Sequence, residues 1–198
     1  MILVFAIVVG VAAGYTKALF TGVAFNPPKL RSVWLVLMAA IPQFLVFSLT
    51  ATRSRIGDHW VSPILISTQI LLIVFVWLNR RAPMFWLLGL GLLLNFLVIS
   101  LNGGWMPISP QTLESQGVSS NYWQVGSRYR FSKDIVLEKE NTTLWILSDI
   151  LTLPLWIPYR VAFSIGDTLI AVGVIGFFLR NEKAGQEKWK VTSGELLK

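Results

Sequence analysis

The chain has 198 residues, of which 54% are hydrophobic and 14% charged, leaving little material outside apolar segments and no room for a second domain. It contains no cysteine, which excludes disulfides, thiolate catalysis and cysteine-ligated metal or iron–sulfur centres. Its net charge of +7 sits mostly in short polar segments between apolar runs, a pattern of membrane topology and anionic headgroups and not of nucleic-acid binding.

Residues 1–16 form the first apolar run. No Lys or Arg precedes Lys17, so the basic region of a secretory signal is missing and a retained first span is expected. Gly10 and Gly14 make a small-xxx-small pair suited to the close approach of another helix. Asn26-Pro27-Pro28 then breaks any helix in the connection that follows. The second run, residues 33–52, holds Pro42 and Gln43, which predict a kink and a polar contact facing other helices. After a polar turn with Asp58 and the single histidine, His59, the third run covers residues 60–79 and ends at Arg80-Arg81. Residues 82–101 follow at once, so the third and fourth runs predict a tight helical hairpin. Each run equals or approaches the roughly 20 apolar residues that cross a hydrocarbon core.

Residues 102–160 are mostly polar and too long for a simple connection, which predicts a structured cap. Within them, Ser109-Pro110 and Gly117 predict a short helix with a serine N-cap, a proline in its first turn and a terminating glycine. Residues 144–158 turn apolar again, but as a helix they reach only about 22 Å against a core about 30 Å thick. With Asp149, Pro154 and Pro158 inside it, this stretch is expected to be a short re-entrant or interfacial helix. The last run, residues 161–179, carries Asp167, and its Gly166, Gly173 and Gly176 fall near one helical face, predicting a close helix contact. The expected fold is therefore an all-α integral membrane protein with five transmembrane helices, one short membrane-dipping helix at 144–158 and an outer-face cap over 102–160. Residues 1–179 form a single domain in this reading, and residues 180–198 a cytoplasmic tail.

Basic residues set the direction. With five spans, Lys17, Lys29, Arg31, Arg80, Arg81 and the basic residues of the tail face the cytoplasm, while the short outer loops hold only Arg53 and Arg55. Counting 144–158 as a sixth span removes this bias, so the positive-inside rule places the N-terminus outside and the C-terminus inside a plasma membrane. The lipid bilayer is the expected partner, other membrane protein subunits are a second class, and nucleic acid is excluded.

Under this topology three stretches gather at one face: Asn102-Gly103-Gly104-Trp105-Met106-Pro107, Leu147-Ser148-Asp149-Ile150 and Ser164-Ile165-Gly166-Asp167. The paired glycines and Asn102 either receive an anion or a ligand carbonyl on exposed amides, or simply end a helix. An acid in an apolar segment needs a partner or water. Arg160 lies between Asp149 and Asp167 in sequence, so an Asp149–Arg160–Asp167 ion cluster is expected ahead of a catalytic dyad. Asp167 also suits the first turn of a helix by its charge. His59, without cysteine or further histidine, cannot build a four-ligand zinc site and reads as a solvated loop residue. The expected ligand-binding or structural polar cluster is thus Asn102, Gly103, Gly104, Asp149, Arg160 and Asp167, with no catalytic residue, metal or named cofactor assigned.

Taken together, the apolar N-terminus, N-G-G-x-M-P at 102–107, L-x-D at 147–149 and S-x-G-D at 164–167 resemble a bacterial multi-pass membrane family that carries only a domain-of-unknown-function label. The likeness covers nearly the whole chain and departs at Ser148, where a glycine commonly precedes the aspartate. The resemblance implies a bacterial cytoplasmic membrane and a five- or six-span fold, and it brings no activity. Three functional classes follow from the residues. Abundant Trp and Phe with small-residue helix faces favour a non-enzymatic accessory subunit of a membrane complex, or a binder of a lipid-like or pigment-like ligand. A small transporter or channel would use Asp149, Asp167 and Asn95 as its polar path. An enzyme acting on a lipid headgroup would need the two acids to converge and Arg160 free for phosphate.

Overall fold

The computed structural model describes residues 2–53, 55–154, 156–157 and 160–180. Long apolar runs satisfy their own backbone groups as helices, and here they form α1 (Ile2–Thr21), α2 (Trp34–Phe47), a single turn α3 (Thr50–Arg53), α4 (Asp58–Leu78) and α5 (Phe85–Leu101). A short α6 (Pro110–Ser115) and the apolar α7 (Ile165–Phe178) complete a mostly helical fold. Two helices, Leu3–Thr21 within α1 and Asp58–Leu78, are long and apolar enough to cross a membrane, and α2, α5 and α7 are shorter apolar helices.

The five apolar helices pack in the order α2, α4, α5, α7, α1. Contacts between their ends show that they alternate in direction. Asn79, just past α4, donates to the Arg31 carbonyl at 2.9 Å and accepts from the Arg31 amide at 2.7 Å, ahead of α2. Lys17 Nζ, near the end of α1, donates to Leu179 O just past α7 at 3.0 Å. These contacts gather the starts of α2 and α5 with the ends of α1, α4 and α7 at one end of the bundle. At the other end, Arg128 of the cap reaches Asp58 at the start of α4.

The shared core includes Ala6, Leu35, Phe75, Phe85, Leu92, Val174 and Phe177, so all five helices contribute to it. Phe85 anchors it, its ring centroid 5.8 Å from Phe75 and 5.4 Å from Phe177. Glycines set the closest approaches. A Cβ on Gly91 would stand 2.5 Å from Gly166 O, and one on Gly173 would stand 2.9 Å from Leu88 N, so the glycine face of α7 is the seam with α5. Gly10 likewise brings α1 against Ile175 and Phe178. Gln43 makes the polar contact expected of it, donating to Thr68 Oγ1 on α4 at 2.7 Å.

The cap is not helical throughout. Strand β1 (Met106–Ile108) pairs in parallel with β2 (Asp134–Val136), and β3 (Leu151–Thr152) pairs antiparallel with β4 (Ala162–Phe163). Helix α6 forms where Ser109-Pro110 predicts it, with Ser109 Oγ accepting from the Thr112 amide at 3.1 Å and Gly117 at φ 76° beyond its end. The helix expected over 144–158 does not form among the described residues of that stretch. Leu144 adopts φ 56°, Trp145–Leu147 make one tight turn, and Leu151–Thr152 are extended. The cap takes up this backbone instead: the Asp149 amide donates to Pro107 O at 3.0 Å, and β3 bonds to β4. Groups paired across strands cannot also make the local bonds of a helix. The expectation of an all-α fold is corrected accordingly to a helical bundle with a small β cap. The tail from 181 to 198 lies outside the described residues.

Candidate functional site

Asp167 sits where the chain enters α7. Ser164 Oγ accepts from the Asp167 amide at 2.9 Å, and Asp167 Oδ2 accepts from the Ser164 amide at 3.4 Å, so the two residues form a capping box. Asn95, buried on α5, ties this box to its neighbour helix. Its Nδ2 donates to Asp167 Oδ1 at 2.8 Å and its Oδ1 accepts from Ser164 Oγ at 2.8 Å. Gly166 is required beside it, because a Cβ there would collide with the Asn95 amide. The S-x-G-D stretch therefore works as one joint between α5 and α7.

Asp149 finds a different partner from the one its sequence neighbourhood suggests. Lys133 Nζ lies 2.7 Å from Asp149 Oδ2 and 3.3 Å from Asp134 Oδ1, whereas Arg160 is exposed and makes no ion pair among the described residues. The expected Asp149–Arg160–Asp167 ion cluster is thus replaced by Lys133 with Asp149. The cause is strand pairing: Lys133 O accepts from the Met106 amide at 3.1 Å while the Asp149 amide donates to Pro107 O, so β1 brings both residues alongside itself. Asp149 is 2% exposed at its side chain, and its Oδ1 has no hydrogen-bond partner among the described residues.

Burial pushes the Asp149 carboxyl up from its usual 3.8, and the nearby Asp134 and Asp167 add to the rise; Lys133 opposes them without cancelling it. Burial acts to lower the pKa of Lys133, but Asp149, Asp134 and Asp167 outweigh it and hold the ammonium well above its usual range.

The Asn102-to-Pro107 stretch ends α5 and binds its surroundings. Asn102 Nδ2 donates to Val98 O at 2.7 Å and to Thr143 O at 2.9 Å, and its Oδ1 accepts from the Thr143 amide at 3.0 Å. Gly103 and Gly104 take φ 71° and 84°, conformations that glycine reaches freely. The Gly104 amide donates to Ile99 O at 2.9 Å and Gly103 O accepts from Ser62 Oγ at 2.9 Å, the geometry of a helix end packed on α4. Pro107 meets Asp149 through the backbone, so two of the three stretches join there. Ser148, where the resemblance leads one to expect a glycine, has φ −74°, which needs no glycine.

Arg160 stands apart from this cluster, on a groove of about 540 Å³ in the cap that Tyr122, Tyr129, Arg130 and Asp134 also line. Arg128 fastens the cap to the helices: its side chain is 7% exposed, pairs with Asp58 at 2.9 Å and lies 5.7 Å from the Phe47 ring and 5.6 Å from the Trp105 ring. Lys133, Arg128 and Arg130 are missed when partners are sought by nearness in sequence. The available signal was the need of the buried Asp149 for a cation, which Lys133 meets from 16 residues away.

A relative from Thermotoga maritima, described as an uncharacterized protein, is 31% identical over 116 residues, which is 58% of this chain and 61% of that protein. The chain therefore spans about three-fifths of the length of the relative it matches. No solved structure matches it. The family described as a family of unknown function, DUF5317, matches residues 28–179, most of the chain and the whole of the cap and its joint with α7. The chain belongs to the DUF5317 family.

Proposed function

We propose that the protein is a five-span integral membrane protein with its N-terminus and cap outside, acting without catalysis as a binder of a lipid-like ligand or as a subunit of a larger membrane complex. The observation that carries this reading is the division of its surface. Trp60 and Trp77 are both exposed on α4 and stand about 25 Å apart along its axis at 1.5 Å per residue, near the spacing of the two interfaces of a bilayer core. Trp34 and Trp86 are exposed at the same end as Trp77, and the surface between the two levels is apolar, with Leu37, Ile41, Val74, Leu93 and Leu97 exposed. Helices α2, α5 and α7 are shorter than the core, a mismatch that local thinning and flanking residues accommodate.

Charge divides along the same axis. Among the described residues, Asp58, Glu114, Asp134, Glu138, Glu140, Asp149 and Asp167 all lie toward the cap. Lys17, Lys29, Arg31, Arg80, Arg81 and Arg180 lie at the opposite end with no described acid among them. The positive-inside rule counts Lys and Arg in short loops, Lys17, Lys29, Arg31, Arg80 and Arg81 at this end against Arg53 and Arg55 at the other, and so turns the basic end toward the cytoplasm. Binding is favoured over catalysis because the acids hold the structure together: Asp167 caps α7 and Asp149 is fixed on Lys133. Asn95, with both ends of its amide engaged, supports a joint between helices more than a polar path.

The chain has no cysteine, so single cysteines report its orientation cleanly. In intact cells Ser120→Cys is expected to react with a membrane-impermeant maleimide, and Lys29→Cys only after lysis. The reverse pattern would overturn the orientation. Native mass spectrometry of protein released gently from its own membrane is expected to show a retained lipid-like molecule or a companion subunit. A bare chain would remove the binder-or-subunit reading.

A further inference from the structure

Two arginines on the cap face one concavity, and neither is paired with Asp134, the one acid among its described lining residues. Arg130 and Arg160 both line the groove of about 540 Å³, and neither makes an ion pair among the described residues. Arg128, two residues before Arg130, is by contrast sunk into the cap and paired with Asp58. A single unpaired surface arginine is ordinary, but two on one concave wall concentrate positive potential. Asp134 shares the wall, 3.3 Å from Lys133, so the groove's own lining carries two guanidinium groups against one carboxylate.

Arg130 is also held in place. Its φ of 50° lies in the left-handed region that favours glycine, and its guanidinium is 5.4 Å from the Tyr129 ring centroid and 5.8 Å from that of Tyr122. The groove has a third donor as well. Gln116 is among the lining residues, and its buried Nε2 has no hydrogen-bond partner among the described residues, so a small turn of the side chain toward a ligand acceptor would satisfy a group already removed from water.

We infer that this groove binds a phosphate-bearing anion, with the Arg130 and Arg160 guanidinium groups and the Gln116 amide as its donors. A carboxylate is satisfied by one guanidinium fork, whereas tetrahedral phosphate presents oxygens in several directions and suits donors converging from different walls. Tyrosine faces and aliphatic side chains in the remaining wall suit the organic part of a phosphate ester. The phosphate comes either from a lipid headgroup or from a soluble ester. Only the first source rests on the membrane reading, in which Arg160 lies between the exposed Trp156 and the start of α7 and so at the bilayer edge.

The test is calorimetric titration of the full chain in a neutral maltoside detergent, with sodium phosphate and separately with a short-chain phosphatidylglycerol. At least one of the two should bind, and Arg160→Ala and Arg130→Gly should each weaken binding by about tenfold or more, the usual loss of a charge-assisted bond. Arg180→Ala, at the opposite end of the bundle, should leave it unchanged. Arg130→Gly suits the backbone conformation already present, and Arg160 is exposed, so both variants should melt as the parent does; Arg130→Asn and Arg160→Gln stand in, each for its own position, where one does not. Binding of phosphatidylglycerol alone assigns the site to a headgroup, and binding of inorganic phosphate assigns it to a soluble anion. Binding of neither, or binding indifferent to both arginines, overturns the site. The maleimide experiment reads orientation without involving the groove, so failure of the groove and failure of the membrane reading are told apart.

Discussion

Lys133→Ala is expected to lower stability by about 3 kcal/mol, the lower end of the cost of breaking a buried ion pair. The lower end applies because Lys133 is itself 34% exposed and because Asp149, left alone, can take up a proton. The loss should depend on pH, with a sign that follows from the Asp149 carboxyl. Burial already raises its pKa in the fold, and without Lys133 the one opposing influence is gone, so it rises further. A carboxyl raised on folding favours the fold fully below its unfolded value, here 3.8, and loses that contribution as pH climbs through its folded value. Lys133→Ala should therefore be least impaired in acid and progressively weaker toward alkaline pH. The ammonium of the parent protein contributes fully below its ordinary 10.5, so it flattens no part of the neutral range. Adding Asp149→Asn should restore most of the loss and remove the pH dependence, because the uncompensated charge is gone. Melting in detergent at about pH 5 and about pH 9 checks both points. Arg160→Ala, on an exposed residue without an ion pair, should melt like the parent; were it the costlier replacement, the Lys133 assignment would be wrong.

Gly166→Ala should cost a comparable amount through packing. The added methyl would meet Gly91 O at 2.8 Å and press on the Asn95 amide, and neither can move aside cheaply. Gly91 O belongs to the α5 backbone, and Asn95 is fixed by its bonds to Ser164 and Asp167. Either the two helices separate, at an overpacking cost of about 1–3 kcal/mol, or Asn95 turns away and forfeits bonds worth about 1 kcal/mol each. Gly176→Ala on the same face is the control. Its methyl would meet the side chain of Met84, which is flexible and can shift, so the loss there should be small. Equal losses at 166 and 176 would show that the glycine face serves general helix approach and that the joint at Asn95 has no special weight.

Much of the helical framework was legible before any coordinates. Each of the five apolar runs became a helix with ends within several residues of expectation, because segments of this composition have only local backbone bonds to satisfy them. Ser109-Pro110 with Gly117 marked a helix start for the same local reason: a side chain within three residues supplies what the first turn lacks. Asp167 was expected in a first turn by its charge, but the cap that Ser164 makes with it, and the helix start at Ile165, were not read from the sequence. The glycines of α1 and α7 announced close contacts, since a missing Cβ permits an approach that no neighbour could reach otherwise, though not which helix would come near.

Residues 144–158 show where locality stops. Their composition suits a helix, yet their backbone partners are Pro107 and β4, residues far away in the chain, and no periodicity within fifteen residues encodes a partner outside them. The same limit misdirected the search for the cation of Asp149. Arg160 is nearer in sequence, but β1 holds Lys133 and Asp149 side by side, and a 2.7 Å bond depends on distance in space alone. Local chemistry thus settled which segments are helices and how they begin. The pairing of strands across the cap decided which acid meets which base, and in doing so left Arg160 on the groove beside Arg130.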